Sequence, residues 1–228
     1  MIFSFSKKII LLTFGVFMLQ SCQQNTTNTK VPEAIVAEKK EAVKSDKKNI
    51  LFFGDSLSAA FGIEPSQGFV SIIGKRIDSL EMPYMVTNAG LSGETTAAGK
   101  ERVDWILKQK VDIFVLELGG NDALRGIKPD ATYQNLQAIV DKVKATYPEC
   151  KIVLAGMYAP PNMGATYSKA FKANYPALAK ANNLTFIPFL LENVGGEPKL
   201  NQADGIHPTS EGHKIVAETV WKTLKTVI

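Results

Sequence analysis

The 228 residues contain only two histidines, His207 and His213, so histidine-based proton transfer is confined to two positions. His207 stands in Asp204-Gly205-Ile206-His207-Pro208. A turn permitted by Gly205 can bring the Asp204 carboxylate to the imidazole and fix its tautomer and orientation. Pro208 biases His207 away from helical dihedrals and suits the first turn of a following helix. The ring would then sit at the positive end of a helix dipole, which disfavours an imidazolium; Asp204 offsets that during turnover. The hydroxyl such a base would activate is Ser56, in Gly54-Asp55-Ser56-Leu57-Ser58, because an alcohol becomes a useful nucleophile near neutrality only beside a base. Taken alone, Asp204 and His207 also suit a capped helix entrance, and Ser56 a helix N-cap. His213 falls in a polar stretch and reads as a solvated surface residue.

Attack on a carbonyl places negative charge on its oxygen, and preorganised donors must meet it. The Ser56 N–H at the end of a strand is one such donor. Gly93, in Asn88-Ala89-Gly90-Leu91-Ser92-Gly93-Glu94-Thr95, offers a second N–H that substrate can approach, and Asn121, in Gly119-Gly120-Asn121-Asp122, a side-chain amide. Asp55 and Asp122 read as residues that bond neighbouring backbone amides and shape their turns. The sequence has no His-Glu-x-x-His, no paired-cysteine motif and no other familiar metal-ligand spacing, nor a Gly-x-Ser-x-Gly elbow, a Walker sequence or a Gly-x-Gly-x-x-Gly. Neither metal nor cofactor is expected, and the α/β-hydrolases, NTPases and dinucleotide enzymes are disfavoured.

These groups must be presented by a rigid frame. Short continuous apolar runs occur at Ile50–Phe53, Tyr84–Thr87, Ile113–Leu116, Ile152–Ala155 and Thr185–Ile187, the pattern of strands buried on both faces in a parallel sheet. Helix-period segments lie between and after them, at about 67–80, 95–109, 130–146, 165–181 and 210–226. In the last, Ile215, Val216, Val220, Trp221 and Leu224 share a face, as a helix covering a sheet requires. Five β–α units in about 180 residues predict one α/β domain, in which reactive groups gather at the carboxyl ends of the strands. The motifs above fall at those ends.

In wording and order, Gly54-Asp55-Ser56-Leu57, Gly93, Gly119-Gly120-Asn121-Asp122 and Asp204-Gly205-Ile206-His207-Pro208 resemble the blocks of the GDSL, or SGNH, hydrolases. The resemblance covers about residues 49–225. The stretches Asn88–Thr95 and Glu117–Gly126 are similar to the small bacterial arylesterases with thioesterase and lysophospholipase activity. The resemblance implies a three-layer, flavodoxin-like sandwich with a five-stranded parallel sheet in the order 2-1-3-4-5. It further implies Ser56, Asp204 and His207 as a catalytic triad, with Ser56, Gly93 and Asn121 as the oxyanion hole. The implied reaction is hydrolysis of carboxylic esters without cofactor: aryl esters, lysophospholipids or thioesters. Acetylated sugars, which other members of the superfamily deacetylate, are an alternative substrate. A lipid-anchored binding protein on a dead esterase fold is another reading, opposed by competent residue types at all five positions.

Substrate contacts are expected from loops. Leu124 and Arg125 resemble a loop that borders the pocket in this subfamily, and Met163 and Leu191 lie in apolar loops after the fourth and fifth strands. Arg125 suits a substrate phosphate or carboxylate, or a surface pairing. The formal net charge of +4 says little about partners. Residues 49–228 hold 18 basic and 18 acidic groups, which gives no support to nucleic-acid binding.

The excess sits in residues 1–48. There Lys7 and Lys8 precede an apolar run at 9–19, short of the roughly 20 residues a spanning helix needs, and Leu19-Gln20-Ser21-Cys22 resembles a bacterial lipobox. Residues 1–21 are therefore expected to be a lipoprotein signal peptide, Cys22 the lipidated first residue, 22–48 a solvated tether and 49–228 the catalytic domain. This predicts an exported protein anchored to a membrane of the bacterial cell envelope, meeting lysophospholipids and small esters outside the cytoplasm. Cys150, the other cysteine, has no setting that would activate a thiol and is expected to pack.

Overall fold

A computed structural model describes residues 47–228; the expected signal peptide, Cys22 and nearly all of the expected tether lie outside the described residues. The chain forms β1 (Lys48–Gly54), α1 (Phe69–Ser79), β2 (Tyr84–Asn88), α2 (Thr96–Ile106), β3 (Ile113–Glu117), α3 (Gly120–Leu124), α4 (Pro129–Thr146), β4 (Lys151–Ala155), α5 (Ala165–Asn182), β5 (Thr185–Ile187) and α6 (Ser210–Leu224). The strands make one parallel sheet in the order β2-β1-β3-β4-β5. Helices α1 and α6 pack together, as do α2 with α4 and α4 with α5. This is the three-layer arrangement that parallel crossovers produce.

β1 forms the middle of the molecule. Ile50, Leu51, Phe52 and Phe53 have no exposed surface, and burying each contributes about 1.5–3 kcal/mol. Their side chains alternate between faces. Phe52 meets Phe69 of α1 edge-on at 5.8 Å, while Phe53 meets Phe114 at 5.5 Å and carries the Arg102 guanidinium of α2 over its ring. β2 departs from the reading of two buried faces: Tyr84 is buried, but Met85 and Asn88 are exposed. It is an edge strand, paired on one side only. The short α3, directly after Gly119-Gly120, was not foreseen by periodicity, because five residues are too few to show a helical repeat.

The register Phe52↔Val115 and Gly54↔Glu117 aligns the ends of β1 and β3. The order reverses at β1, since the chain crosses from β2 on one side of it to β3 on the other. The loops after β1 and β3 therefore diverge around one crevice, which is where open α/β sheets collect their functional groups.

Candidate active site

Ser56 follows β1 and is 9% exposed. Helical hydrogen bonds run from Ala59 N–H to the Asp55 carbonyl and from Phe61 N–H to the Ser56 carbonyl, both 3.0 Å. The segment is a single irregular turn, not the start of a helix; α1 begins only at Phe69. The turn is anchored by Asp55, whose Oδ1 accepts from Leu57 N–H at 3.0 Å. The loop after β2 packs on it through Leu91 N–H to the Gly54 carbonyl, 2.9 Å, and Asn88 Nδ2 to the Ser58 carbonyl, 2.8 Å.

His207 arrives from 151 positions along the chain and places Nε2 2.9 Å from Ser56 Oγ. Its Nδ1 lies 2.7 Å from Asp204 Oδ2. The other Asp204 oxygen accepts from Ile206 N–H at 2.8 Å and His207 N–H at 3.0 Å, a turn that Gly205 makes possible with φ +69°. Burial alone would raise the Asp204 pKa. Hydrogen bonds from the His207 ring and from the two backbone amides outweigh it and bring the group down to about 2. An ionised carboxylate on Nδ1 leaves the Nε2 lone pair free to take the serine proton.

Gln202 locks the two loops together, donating from Nε2 to the carbonyls of Phe61, 2.8 Å, and Pro208, 3.0 Å. Pro208 precedes the helix cap instead of entering the first turn of α6. It bridges to Asn201, and Thr209 caps the helix by accepting from Gly212 N–H.

Asn121, the second residue of α3, donates from Nδ2 to Asp55 Oδ2 at 3.1 Å, leaving its other amide hydrogen free of that bond. Gly93 has φ +81°. Neither Ser56 N–H nor Gly93 N–H donates to a protein acceptor among the described residues. Arg125 donates to the Gly93 carbonyl at 3.0 Å, so this side chain is tied to the Gly93 turn. Leu124 is exposed beside it, and Met163 reaches the same loop at Gly126. Met163 also lines a surface cavity of about 500 Å³ with Pro129, Gly164, Thr166, Tyr167 and Ala170. Leu191 packs against the core and accepts from Val194 and Gly195 N–H through its carbonyl. No hydrogen bond among the described residues links it to Ser56 or His207.

Two further expectations need correction. Asp122 does not shape its own turn. Its buried carboxylate reaches Thr96 N–H at 2.8 Å and the hydroxyls of Thr96 and Thr132, joining α2, α3 and α4. His213 is not a surface residue but is 1% exposed. Its Nδ1 accepts from Phe69 N–H at 3.2 Å and its ring stacks on Phe69 at 6.0 Å, which satisfies the otherwise uncapped start of α1. Burial, and then the His207 charge, lower its pKa to about 4. Cys150 packs as expected: half-buried, with its thiol pushed up to about 12 by burial and by Asp112.

Phe61, whose ring lies 4.7 Å from that of His207, and Glu117 were not singled out from sequence. Phe61 stood in no motif. Glu117 did carry a signal, an acid ending the apolar run Ile113-Phe114-Val115-Leu116. Among the described residues, no group of three His, Cys, Asp or Glu side chains is placed to hold a metal ion.

The profile of the GDSL-like Lipase/Acylhydrolase family matches residues 52–215. The esterase TesA of Pseudomonas aeruginosa is 41% identical over 182 residues, 79% of this chain and 90% of that protein. Thioesterase 1/protease 1/lysophospholipase L1 of Escherichia coli is 37% identical over 78% of this chain and 84% of its own. Among solved structures, the psychrotrophic esterase EstA from Pseudoalteromonas sp., inhibited by monoethylphosphonate, superposes with a TM-score of 0.75 at 30% identity, over 79% of this chain and 98% of that one.

Proposed function

The chain belongs to the GDSL-like lipase/acylhydrolase family, and from that premise we propose that it is a serine esterase with Ser56 as nucleophile, His207 as base and acid, and Asp204 orienting the ring. The observation that carries the assignment is the continuous relay Ser56–His207–Asp204, with separations of 2.9 and 2.7 Å. Ser56 Oγ attacks the ester carbonyl carbon while its proton passes to His207 Nε2. The carbonyl oxygen becomes an oxyanion and receives hydrogen bonds from Ser56 N–H, Gly93 N–H and Asn121 Nδ2. Each such donor contributes roughly 3 kcal/mol to the transition state. Collapse of the intermediate expels the alcohol, which takes the proton from His207 and leaves an acyl-enzyme. Water, deprotonated by His207, then releases the acid and regenerates Ser56.

The substrates proposed are aryl esters, lysophospholipids and thioesters, in keeping with the names of the relatives. The acyl group would lie along Leu124 and Met163, with the Met163 cavity as room for a chain. Arg125 bounds the Gly93 side of the site, and Leu191 supports a loop from within. The protein is further proposed to be exported and held at the cell envelope by lipid on Cys22. Replacement of that cysteine by alanine is expected to move the enzyme from the membrane to the soluble fraction.

The deciding experiment is Ser56→Ala, assayed on short p-nitrophenyl esters beside a fluorophosphonate label. The variant is expected to keep its circular dichroism and lose both turnover and labelling. Turnover by the variant, or a wild-type protein that neither hydrolyses the esters nor takes the label, overturns the assignment. The same assay run across acyl chain lengths, with lysophospholipid and acetylated xylan alongside, tests the substrate class; preference for the xylan would replace it.

A further inference from the structure

Glu117 ends β3 with its carboxyl sealed inside the protein, 1% exposed. A buried carboxylate is tolerated when a cation or a full set of donors compensates it. Glu117 has neither. Its Oε2 accepts from Asp55 N–H at 3.2 Å and from Ser58 Oγ at 2.8 Å, whereas Oε1 is buried without a partner. Gly54 is the residue that makes room, since a Cβ there would run into the Glu117 carboxyl and the Ser58 hydroxyl. One oxygen thus holds Asp55 and Ser58, on either side of Ser56, in place, and the other has nothing to accept.

The Asp55 carboxyl, 2% exposed, stands within side-chain hydrogen-bonding reach of Glu117. Asp55 is well supplied with donors, accepting from Leu57 N–H on one oxygen and Asn121 Nδ2 on the other. Two carboxylates in one dry site do not both ionise. The pair keeps a proton, and the oxygen with no donor facing it is the one that must carry it.

Resting on the serine-esterase assignment for its functional meaning, we propose that Glu117 is a neutral carboxylic acid whose Oε1 proton is shared with the Asp55 carboxylate, and that this acid–carboxylate pair is the positioning element for the Ser56 turn and the Asn121 amide. The proton gives Oε1 a donor role and leaves Oε2 as the acceptor already seen. Asp55 retains its hold on Asn121, so the second Nδ2 hydrogen stays aimed at the forming oxyanion. Sharing the proton also tempers the negative charge behind that oxyanion, which a pair of carboxylates would repel.

The shifts agree in direction: burial and then the Asp55 charge raise Glu117 well above the usual carboxylate range, and burial raises Asp55 to about 6. The other titratable groups facing the pair are Tyr175 of α5, held neutral by its burial, and His207; Asp122 of α3 acts on Tyr175. The Arg102 charge on the Phe53 ring is met by Glu94.

The test compares wild type, Glu117→Ala and Glu117→Gln. Glutamine offers an N–H to Asp55 and a carbonyl to Asp55 N–H and Ser58, as the protonated acid does. Glu117→Ala is expected to lower kcat for an aryl ester by about tenfold to a hundredfold with little change in KM, and Glu117→Gln to restore most of it. At alkaline pH, where the pair loses its proton, wild-type kcat is expected to fall in a step absent from Glu117→Gln. Infrared spectra at neutral pH are expected to show a protonated carboxylic acid C=O stretch that Glu117→Gln removes.

Loss of activity in Glu117→Gln equal to that in Glu117→Ala, unchanged kcat in Glu117→Ala, or an absent acid band overturns the proposal. If Glu117→Ala does not fold, the glutamine variant and the infrared band decide. The band does not depend on turnover, so it stands or falls separately from the Ser56→Ala result.

Discussion

Acidification should expose the buried ring of His213, and the effect can be sized. The unfolded chain titrates this histidine near 6.5, whereas the folded ring, desolvated and accepting from Phe69 N–H, titrates near 4. Protonation would set an N–H against an N–H at the positive end of α1. Between these two values the unfolded state binds more protons, so stability present above pH 6.5 is lost as pH falls toward 4. The full loss is about 3 kcal/mol.

Asp55 and Glu117 act in the opposite sense. Their pKa values are raised on folding, so they favour the folded state as pH falls through part of the same range, and the wild-type curve alone is ambiguous. The comparison is therefore with His213→Asn, whose side-chain oxygen can accept from Phe69 N–H and does not titrate. Urea unfolding of both proteins, followed by circular dichroism from pH 7 to pH 4, isolates the ring. The wild-type advantage over His213→Asn should shrink by about 3 kcal/mol over that range. A difference that stays constant within about 0.5 kcal/mol, the usual additivity error, would refute the burial account.

Asn121→Ala should lower kcat for aryl esters about a hundredfold to a thousandfold with KM little changed, read from steady-state kinetics; a KM effect alone would remove Asn121 from the oxyanion hole. Asp204→Asn should cost about ten-thousandfold in kcat at neutral pH while urea stability changes little, because the amide favours the wrong histidine tautomer. Gly119→Ala should lower the urea midpoint by more than about 1 kcal/mol equivalent. Its φ is +120° and the new methyl would strike the Tyr175 hydroxyl, which donates to the Leu118 carbonyl. An unchanged midpoint would show that the turn relaxes freely.

Several features of the fold were legible because they are local. The apolar runs at Ile50–Phe53 and Ile113–Leu116 mark central strands, since continuous hydrophobicity over four residues suits burial on both faces. The five helix-period segments match α1, α2, α4, α5 and α6 to within a few residues. At the ends the pattern weakens: β2 carries the same kind of run yet is half exposed, because its edge position is set by strand order. His213 is an error the periodicity could have prevented. Positions 213, 216, 217, 220 and 224 fall on one helical face and are all buried in α6, but the polar neighbours Glu211 and Lys214 masked it.

The amino-acid sequence by itself determined the chemistry available: two histidines, one of them three residues after an aspartate in a glycine turn, and a serine, a glycine and an asparagine at strand ends. It also determined a parallel α/β frame, because period and run length are written into neighbouring residues. The tertiary structure alone decided which groups meet. Ser56 and His207 come within 2.9 Å across 151 positions because β1 and the loop before α6 end on the same edge of the sheet. The Gly54↔Glu117 register put a second carboxyl against Asp55, and the packing of α6 on α1 turned a polar-looking histidine into a helix cap. Such contacts depend on strand order and helix placement, and burial there sets whether a carboxyl or an imidazole carries its charge.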